Sequence, residues 1–133
     1  MGNKALDIQV GGDHYKKGGM QPMELADKVA MLPSCFSIFK YMYRHKGKNG
    51  REDLNKALHC CNIKEELKSD WYNGCFTADV FRNFLSSNPH LDSNQRLAIL
   101  AIQVKNMDML RWAINKEIKD CYGREESKGK GDD

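Results

Sequence analysis

The sequence predicts an all-α protein, built as a small bundle of about five helices. Three observations favour this class. Apolar residues recur at steps of three and four along most of the chain, which is the spacing of one helix face. The gaps between these segments carry proline, glycine and asparagine, which favour turns. The length of 133 residues and the hydrophobic fraction of 41% suit one domain with a single core.

The N-terminal residues 1–20 show no sustained period and contain five glycines, so we expect an arm rather than a helix. A first helix is predicted from about Pro22 to Met31, because proline is tolerated at the first helical position. Its apolar residues recur at helical spacing. Pro33 ends the connection to the next helix.

A helical hairpin is predicted next. The second helix runs from Ser34 to about His45 and carries an apolar stripe that includes Ile38 and Met42. Residues 47–50 have strong turn chemistry, because asparagine and glycine adopt positive φ readily. The third helix opens with Glu52 and Asp53 and reaches about Lys68.

Two further helices are predicted after a break at residues 71–77. Thr77 is a plausible N-cap for the fourth helix, which ends at Asn88-Pro89. Asp92 or Ser93 then caps one long helix whose apolar stripe extends from Leu97 to Cys121. That stripe suits either the core face of a bundle or a coiled-coil seam between subunits. The predicted organisation is an arm (1–20), one helical domain (21–122) and a disordered tail (123–133).

The composition disfavours several classes of protein. The charged fraction is 29%, the mean hydropathy is -0.68, and no apolar run approaches the ~20 residues that cross a bilayer. Residues 1–10 lack the basic and apolar regions of a secretory signal. The net charge of +3 is too mild for a typical nucleic-acid binder. We expect a cytoplasmic protein with no membrane partner and no nucleic-acid partner.

The five cysteines predict neither a disulfide framework nor a zinc site. They form an odd set with no C-x-x-C pair and no second cluster at metal-ligand spacing. We expect thiols that pack as small hydrophobes and no metal ligands among them. These cysteines are Cys35, Cys60, Cys61, Cys75 and Cys121.

A basic segment at the hairpin is the main functional candidate. Residues 40–51 contain five cations and no acidic residue, and the next residue is Glu52. The cations are Lys40, Arg44, Lys46, Lys48 and Arg51. Lys40 and Arg44 are four residues apart on one helix, so both can contact one phosphate. Lys48 in the turn can close over it. The alternative is a solvated basic face paired with Glu52 and Asp53.

Known catalytic motifs are absent from the sequence. It contains no G-x-x-x-x-G-K-[ST], no G-x-G-x-x-G after a strand-like run, no H-E-x-x-H and no G-x-S-x-G. A P-loop fold is therefore excluded.

A set of residues in fixed order resembles a small phage domain family of unknown function. Its members share a G-G-x-H-Y start, a Q-P-x-[ED] helix opening and the run N-x-x-K-Y-x-x-R-x-x-x-K-x-G-x-x-D-L-x-K-A. The resemblance covers about residues 9–68 and leaves the helices at 77–122 outside it. Ser37 stands where the family has asparagine, and Phe36 where it has glycine. The matching residues are Gly11, Gly12, His14, Tyr15, Gln21, Pro22, Lys40, Tyr41, Arg44, Lys48, Asp53, Leu54, Lys56 and Ala57.

The resemblance extends more weakly to the C-terminal part of a P-loop-free nucleotide kinase of short-tailed coliphages. It implies a nucleotide-metabolism protein in the host cytoplasm that binds a nucleoside phosphate. As a deoxynucleoside monophosphate kinase, it would use ATP and Mg²⁺. Lys40, Arg44 and Lys48 would then neutralise the transferring phosphoryl group, with Lys56 as a further phosphate contact.

The other candidate residues carry open alternatives. Asp53 either stabilises the first turn of the third helix, pairs with Arg44 or helps to place a metal. His14 and Tyr15 are expected to orient the base or sugar. Tyr41 and Tyr43 either pack in the core or stack on a base.

Two non-catalytic functions compete with the kinase hypothesis. One is a nucleotide sequesterer that counters host defence signalling. The other is a host-takeover adaptor that binds a protein through the stripe from Leu97 to Cys121. A homo-oligomer is expected, because a small helical protein with a long apolar stripe gains core by pairing.

Overall fold

A computed structural model describes the backbone of residues 19–131 and the side chains of residues 19–123. Six α-helices span the described part of the chain, with one 3₁₀ turn at His45–Gly47 and no strand. A single antiparallel bridge joins Met31 to Tyr72. The predicted all-α class is confirmed. The helices are α1 (Pro22–Val29), α2 (Pro33–Arg44), α3 (Arg51–Leu67), α4 (Ala78–Ser86), α5 (Ser93–Gln103) and α6 (Met107–Gly131).

The core lies where α2, α3, α5 and α6 meet, and α1 and α4 cover one end of it. Each helix contributes side chains at steps of three and four, as the apolar pattern predicts. Phe39 packs edge-on against Phe84 with ring centroids 5.3 Å apart. The largest fully buried side chains of the core are Phe39, Phe81, Phe84, Leu25, Ile38, Leu54, Ile102, Leu110 and Ile114.

The first three helices begin and end close to the predicted residues. Pro33 is the first residue of α2 rather than the end of the connection before it. Gly50 precedes α3 with a φ of 59°, a left-handed conformation that glycine adopts without strain. The ring of Tyr122 lies 3.4 Å from the point where a Cβ at Gly50 would stand. The Tyr122 distance is an ordinary van der Waals contact, so the positive φ is what favours glycine at the turn.

The predicted single helix from residue 92 to Cys121 is wrong, because the chain forms two helices there. Lys105 adopts a φ of 58° and ends α5, while the N–H of Asn106 donates to the carbonyl oxygen of Ala101 at 2.9 Å. The side chain of Asn106 then accepts a hydrogen bond from the N–H of Met109 at 3.0 Å and caps α6. These stop and start signals override the apolar period, which continues across the break.

The two helices pack against each other in antiparallel directions. Asn94, near the start of α5, donates to Glu117 and Asp120 of α6 at 3.2 and 2.9 Å. At the start of α5, Asp92 and Gln95 form a capping box. The apolar stripe therefore folds back on itself instead of forming one continuous seam.

Both chain ends extend beyond the described side chains. The predicted arm lies almost wholly outside the described residues, which begin at Gly19. At the other end, the backbone of α6 continues to Gly131, and the expected disordered tail stays a prediction. None of the described helices combines the length and apolar character that a membrane crossing requires.

The cysteines are free thiols in the structure. Cys35 and Cys61 are buried in the core, and burial raises the pKa of each to about 12. Cys75 and Cys121 are exposed. Cys35 and Cys61 therefore pack as hydrophobes, as the sequence predicts.

We expect Asn106→Ala to lower the free energy of unfolding by about 1 kcal/mol, because α6 loses its N-cap acceptor. Urea denaturation monitored by circular dichroism measures this change. Asn106→Asp retains a capping oxygen and is the matched control, with stability close to that of the parent. An equal loss in both variants would contradict the capping role.

Candidate functional site

Three cationic side chains surround the ring of Tyr41. The Nζ of Lys40 and the Cζ of Arg44 each lie 5.0 Å from the ring centroid, and the Nζ of Lys56 lies at 5.8 Å. We call Lys40, Tyr41, Arg44 and Lys56 the Tyr41 cluster. The structure thus brings together four of the residues that the sequence singled out.

The cluster follows from the hairpin. Lys40 and Arg44 are one helical turn apart on α2 and flank Tyr41, while Lys56 comes from the adjacent α3. Tyr41 is partly buried against the core and meets the three cations. Its side chain therefore lies between the two predicted alternatives, with one part packed and one part available for contacts.

Asp53 holds Arg44 in place. This carboxylate is fully buried and accepts hydrogen bonds from Nε and Nη2 of Arg44 at 3.3 and 3.4 Å. The backbone N–H and the side-chain amide of Asn49 donate to the same two oxygens at 3.2 and 3.4 Å. Of the predicted roles for Asp53, the structure shows the pair with Arg44 and a place in the first turn of α3. Four donors occupy the oxygens that a metal would need.

The remaining charges give the cluster an excess of cations. Lys56 pairs with Glu52 at 3.4 Å on the surface, and Arg44 pairs with Asp53. In the described part of the chain, Lys40 has no ion pair. The cluster therefore holds three positive charges beside two carboxylates.

Two other cations of the basic segment, Lys46 and Arg51, lie apart from the Tyr41 cluster. The Nζ of Lys46 lies 2.6 Å from a carboxylate oxygen of Asp92, at the start of α5. Arg51 faces a groove between α3 and α6. Lys48 is exposed in the turn, and among the described residues no contact joins its side chain to the cluster. The segment that looks continuous in sequence is divided among three surfaces.

A buried polar network lies next to the cluster, and sequence reasoning missed it. His45 is fully buried, with Nε2 2.7 Å from an oxygen of Glu117 and Nδ1 2.8 Å from the hydroxyl of Tyr122. Glu117 is also fully buried. Since His45 directly follows Arg44, α6 fixes the end of the helix that carries the cluster.

One sequence signal points to this network. Glu117 lies three residues after Ile114 and directly before Ile118, so it falls on the apolar face of the last helix. A charged residue on a core face needs a buried partner. That signal identifies Glu117, but it does not identify His45, which lies 72 positions earlier in the chain.

The predicted contacts of His14 and Tyr15 lie outside the described residues and stay predictions. The described chain begins at Gly19, whose N–H donates to the carbonyl oxygen of Ser87 at 2.7 Å. The carbonyl oxygen of Met20 accepts a hydrogen bond from the buried side chain of Asn88 at 3.0 Å. The chain that follows the arm is thus tied to the end of α4.

The Tyr41 cluster lies in a segment that matches a known protein family. Residues 10–62 match DUF3310, a protein family of unknown function. The matched segment includes the whole Tyr41 cluster, Asp53 and His45, whereas Glu117 and Tyr122 lie beyond it. The predicted likeness to a domain of unknown function is therefore confirmed, with similar bounds. No curated protein and no solved structure matches the chain.

We expect Arg44→Ala to lower the free energy of unfolding by about 2 kcal/mol, because it removes the charged partner of a buried carboxylate. Urea denaturation near neutral pH measures the loss. Lys40→Ala is the control, since it removes a cation from the same helix without breaking an ion pair. The two variants losing equal stability would contradict the anchoring role of Asp53.

Proposed function

We propose that the protein binds the phosphate group of a nucleotide at the Tyr41 cluster. The observation that carries this proposal is the convergence of Lys40, Arg44 and Lys56 on one ring, at 5.0–5.8 Å from its centroid. Cations gathered in this way repel one another, and a bound anion relieves that repulsion. A phosphate, with up to two negative charges and several acceptor oxygens, suits three donors from two helices.

The orientation of Arg44 supports the same ligand. The carboxylate of Asp53 accepts hydrogen bonds from Nε and Nη2 of Arg44. Because the buried carboxylate fixes the guanidinium, less side-chain freedom is lost when an anion binds. Such preorganisation is typical of anion sites built on helices.

The nucleotide part of the proposal comes from the resemblance of the sequence. The nucleotide-kinase relation favours a nucleoside phosphate over a free inorganic anion. In this proposal His14 and Tyr15 contact the base or sugar, and Lys48 closes over the phosphate from the turn.

The geometry favours a protein that binds a nucleotide without catalysis over a monophosphate kinase. Mg²⁺ with ATP needs carboxylate oxygens that are open to the metal. Asp53 is occupied by four donors, and Glu52 pairs with Lys56. We therefore favour a protein that sequesters a nucleotide, such as one used in host defence signalling, and keep the phage deoxynucleoside monophosphate kinase as the alternative.

We expect the purified protein to give a saturable binding isotherm with at least one ribo- or deoxynucleoside monophosphate in calorimetry. Lys40→Ala should weaken that binding about tenfold, the usual cost of losing one charge-assisted hydrogen bond. Lys28→Ala, an exposed lysine on α1, is the matched control and should leave the affinity unchanged. Affinity should also fall as salt is added.

A measurement of catalytic turnover distinguishes the kinase from the nucleotide sequesterer. Incubation with ATP, Mg²⁺ and each deoxynucleoside monophosphate, followed by chromatography of the nucleotides, shows diphosphate products only if the protein is a kinase. A binding signal in calorimetry without diphosphate products supports the sequesterer. Neither heat nor products with any of these nucleotides would overturn nucleotide binding at the cluster.

Exposed apolar side chains on the α5–α6 pair support a second candidate function, contact with another protein. Leu100 is 42% exposed, Val104 54% and Trp112 55%. Leu100 and Val104 are four residues apart near the end of α5, and Trp112 is on α6, which packs against α5. Exposed apolar side chains on packed helices are typical of contact surfaces. We propose self-association through this face, and an adaptor that binds a host protein would use the same side chains.

We expect the parent protein to exceed its monomer mass of 15.2 kDa in light scattering after size-exclusion chromatography. Trp112→Ser should shift the distribution towards the monomer, because it removes the largest exposed apolar side chain of the face. Met23→Ser, an exposed apolar residue on α1, is the control. A parent protein that stays monomeric at high concentration would contradict self-association.

A further inference from the structure

A second polar cavity lies between α3 and α6, on a different flank of α3 from the Tyr41 cluster. Its volume is about 410 Å³. We call it the α3–α6 groove. Arg51, Asn55 and Leu58 line it from α3, and Asn115, Ile118 and Lys119 line it from α6. Asn55 faces the groove while its neighbour Lys56 belongs to the cluster, because successive helical residues point about 100° apart.

Fixed contacts at both ends keep the groove open between the helices. At one end, Nη2 of Arg111 on α6 donates to the side-chain oxygen of Asn62 and pairs with the carboxylate of Glu65, both on α3 and each at 2.7 Å. At the other end, the ring of Tyr122 rests against Gly50. These contacts hold α3 and α6 together at the two ends of the groove.

The chemistry of the walls defines what fits. Each helix supplies one cation and one carboxamide, and among the described residues the lining contains no carboxylate. Leu58 and the nearly buried Ile118 add an apolar surface. Small-molecule sites commonly combine an apolar surface with a few placed polar groups in volumes of about 300–1,000 Å³.

Two of the polar groups in the groove have no partner within the described part of the chain. The side-chain amide of Asn55 makes no hydrogen bond, and the Nζ of Lys119 makes no ion pair. The amide of Asn115 donates to the carbonyl oxygen of Arg111 at 3.0 Å, and its side-chain oxygen accepts no hydrogen bond from the described residues. A cation and two carboxamides are thus presented to one space.

We infer that the α3–α6 groove is a second ligand site, for a small organic anion with a planar hydrogen-bonding group. Lys119 holds the phosphate or carboxylate beside Arg51, and the two asparagine side chains form hydrogen bonds with the edge of the planar group. Leu58 and Ile118 cover its face. The inference does not depend on the Tyr41 cluster, and its α6 wall lies outside the segment that matches DUF3310.

Side-chain amide signals of Asn55 and Asn115 in ¹⁵N-resolved NMR spectra report directly on the groove. We would titrate the full-length protein with AMP for the phosphate class, orotate for the carboxylate class, and inorganic phosphate as an anion without a planar group. AMP or orotate should shift both signals saturably. Inorganic phosphate should bind at least about tenfold more weakly than the better of the two.

Variants separate the groove from other cationic surfaces. Lys119→Ala should weaken the titration about tenfold, and since Lys119 is exposed the fold is retained, which circular dichroism checks. Lys116→Ala, one turn away and paired with Asp120, is the matched control. Lys40→Ala should leave the groove titration unchanged while it weakens binding at the cluster.

Four results would overturn the inference. These are the absence of saturable shifts with both organic anions, equal binding of inorganic phosphate, an equal effect of Lys116→Ala and Lys119→Ala, or loss of the groove shifts in Lys40→Ala. If the Tyr41 cluster binds no nucleotide, each of these four measurements still tests the groove.

Discussion

The buried carboxylate of Asp53 is the constraint on which the α2–α3 hairpin depends. A carboxylate removed from water costs several kcal/mol unless charged or polar donors surround it. Arg44 and Asn49 provide these donors, so the end of α2, the turn and the first turn of α3 are held to one point. The negative charge of Asp53 also stabilises the N-terminal end of α3. The direction in which Arg44 faces is a consequence of this requirement.

The end of α2 is also held by the C-terminal half of the chain. Gln95 of α5 donates to the carbonyl oxygens of Met42 and Tyr43 at 3.0 and 3.3 Å, which satisfies groups that a helix end leaves open. Glu117 and Tyr122 of α6 hold His45 from the other side. Three helices thus converge on the last turn of α2. The position of the cationic side chains is therefore set by the whole bundle, and not by the hairpin alone.

The sequence predicts most of the helices because their apolar residues keep one period and proline or glycine marks several of their ends. It fails at residues 104–106, where a lysine adopts a left-handed conformation and the apolar period continues across the stop. The closeness of Lys40 and Arg44 follows from helical spacing. The divergence of Lys46 does not, because it depends on the distant Asp92. Partners separated by 70 residues or more, such as His45 and Glu117, require the tertiary structure.

The buried pair of His45 and Glu117 crosses the border of the DUF3310 segment. His45 is inside the matched segment, while Glu117 and the apolar residues Leu110 and Ile114 of α6 are not. In this protein the matched segment therefore depends on α6 for its cover. A protein that carried it without α6 would leave an imidazole and an apolar face open to water. Such a protein must recruit another cover, either a different helix of its own or a neighbouring subunit.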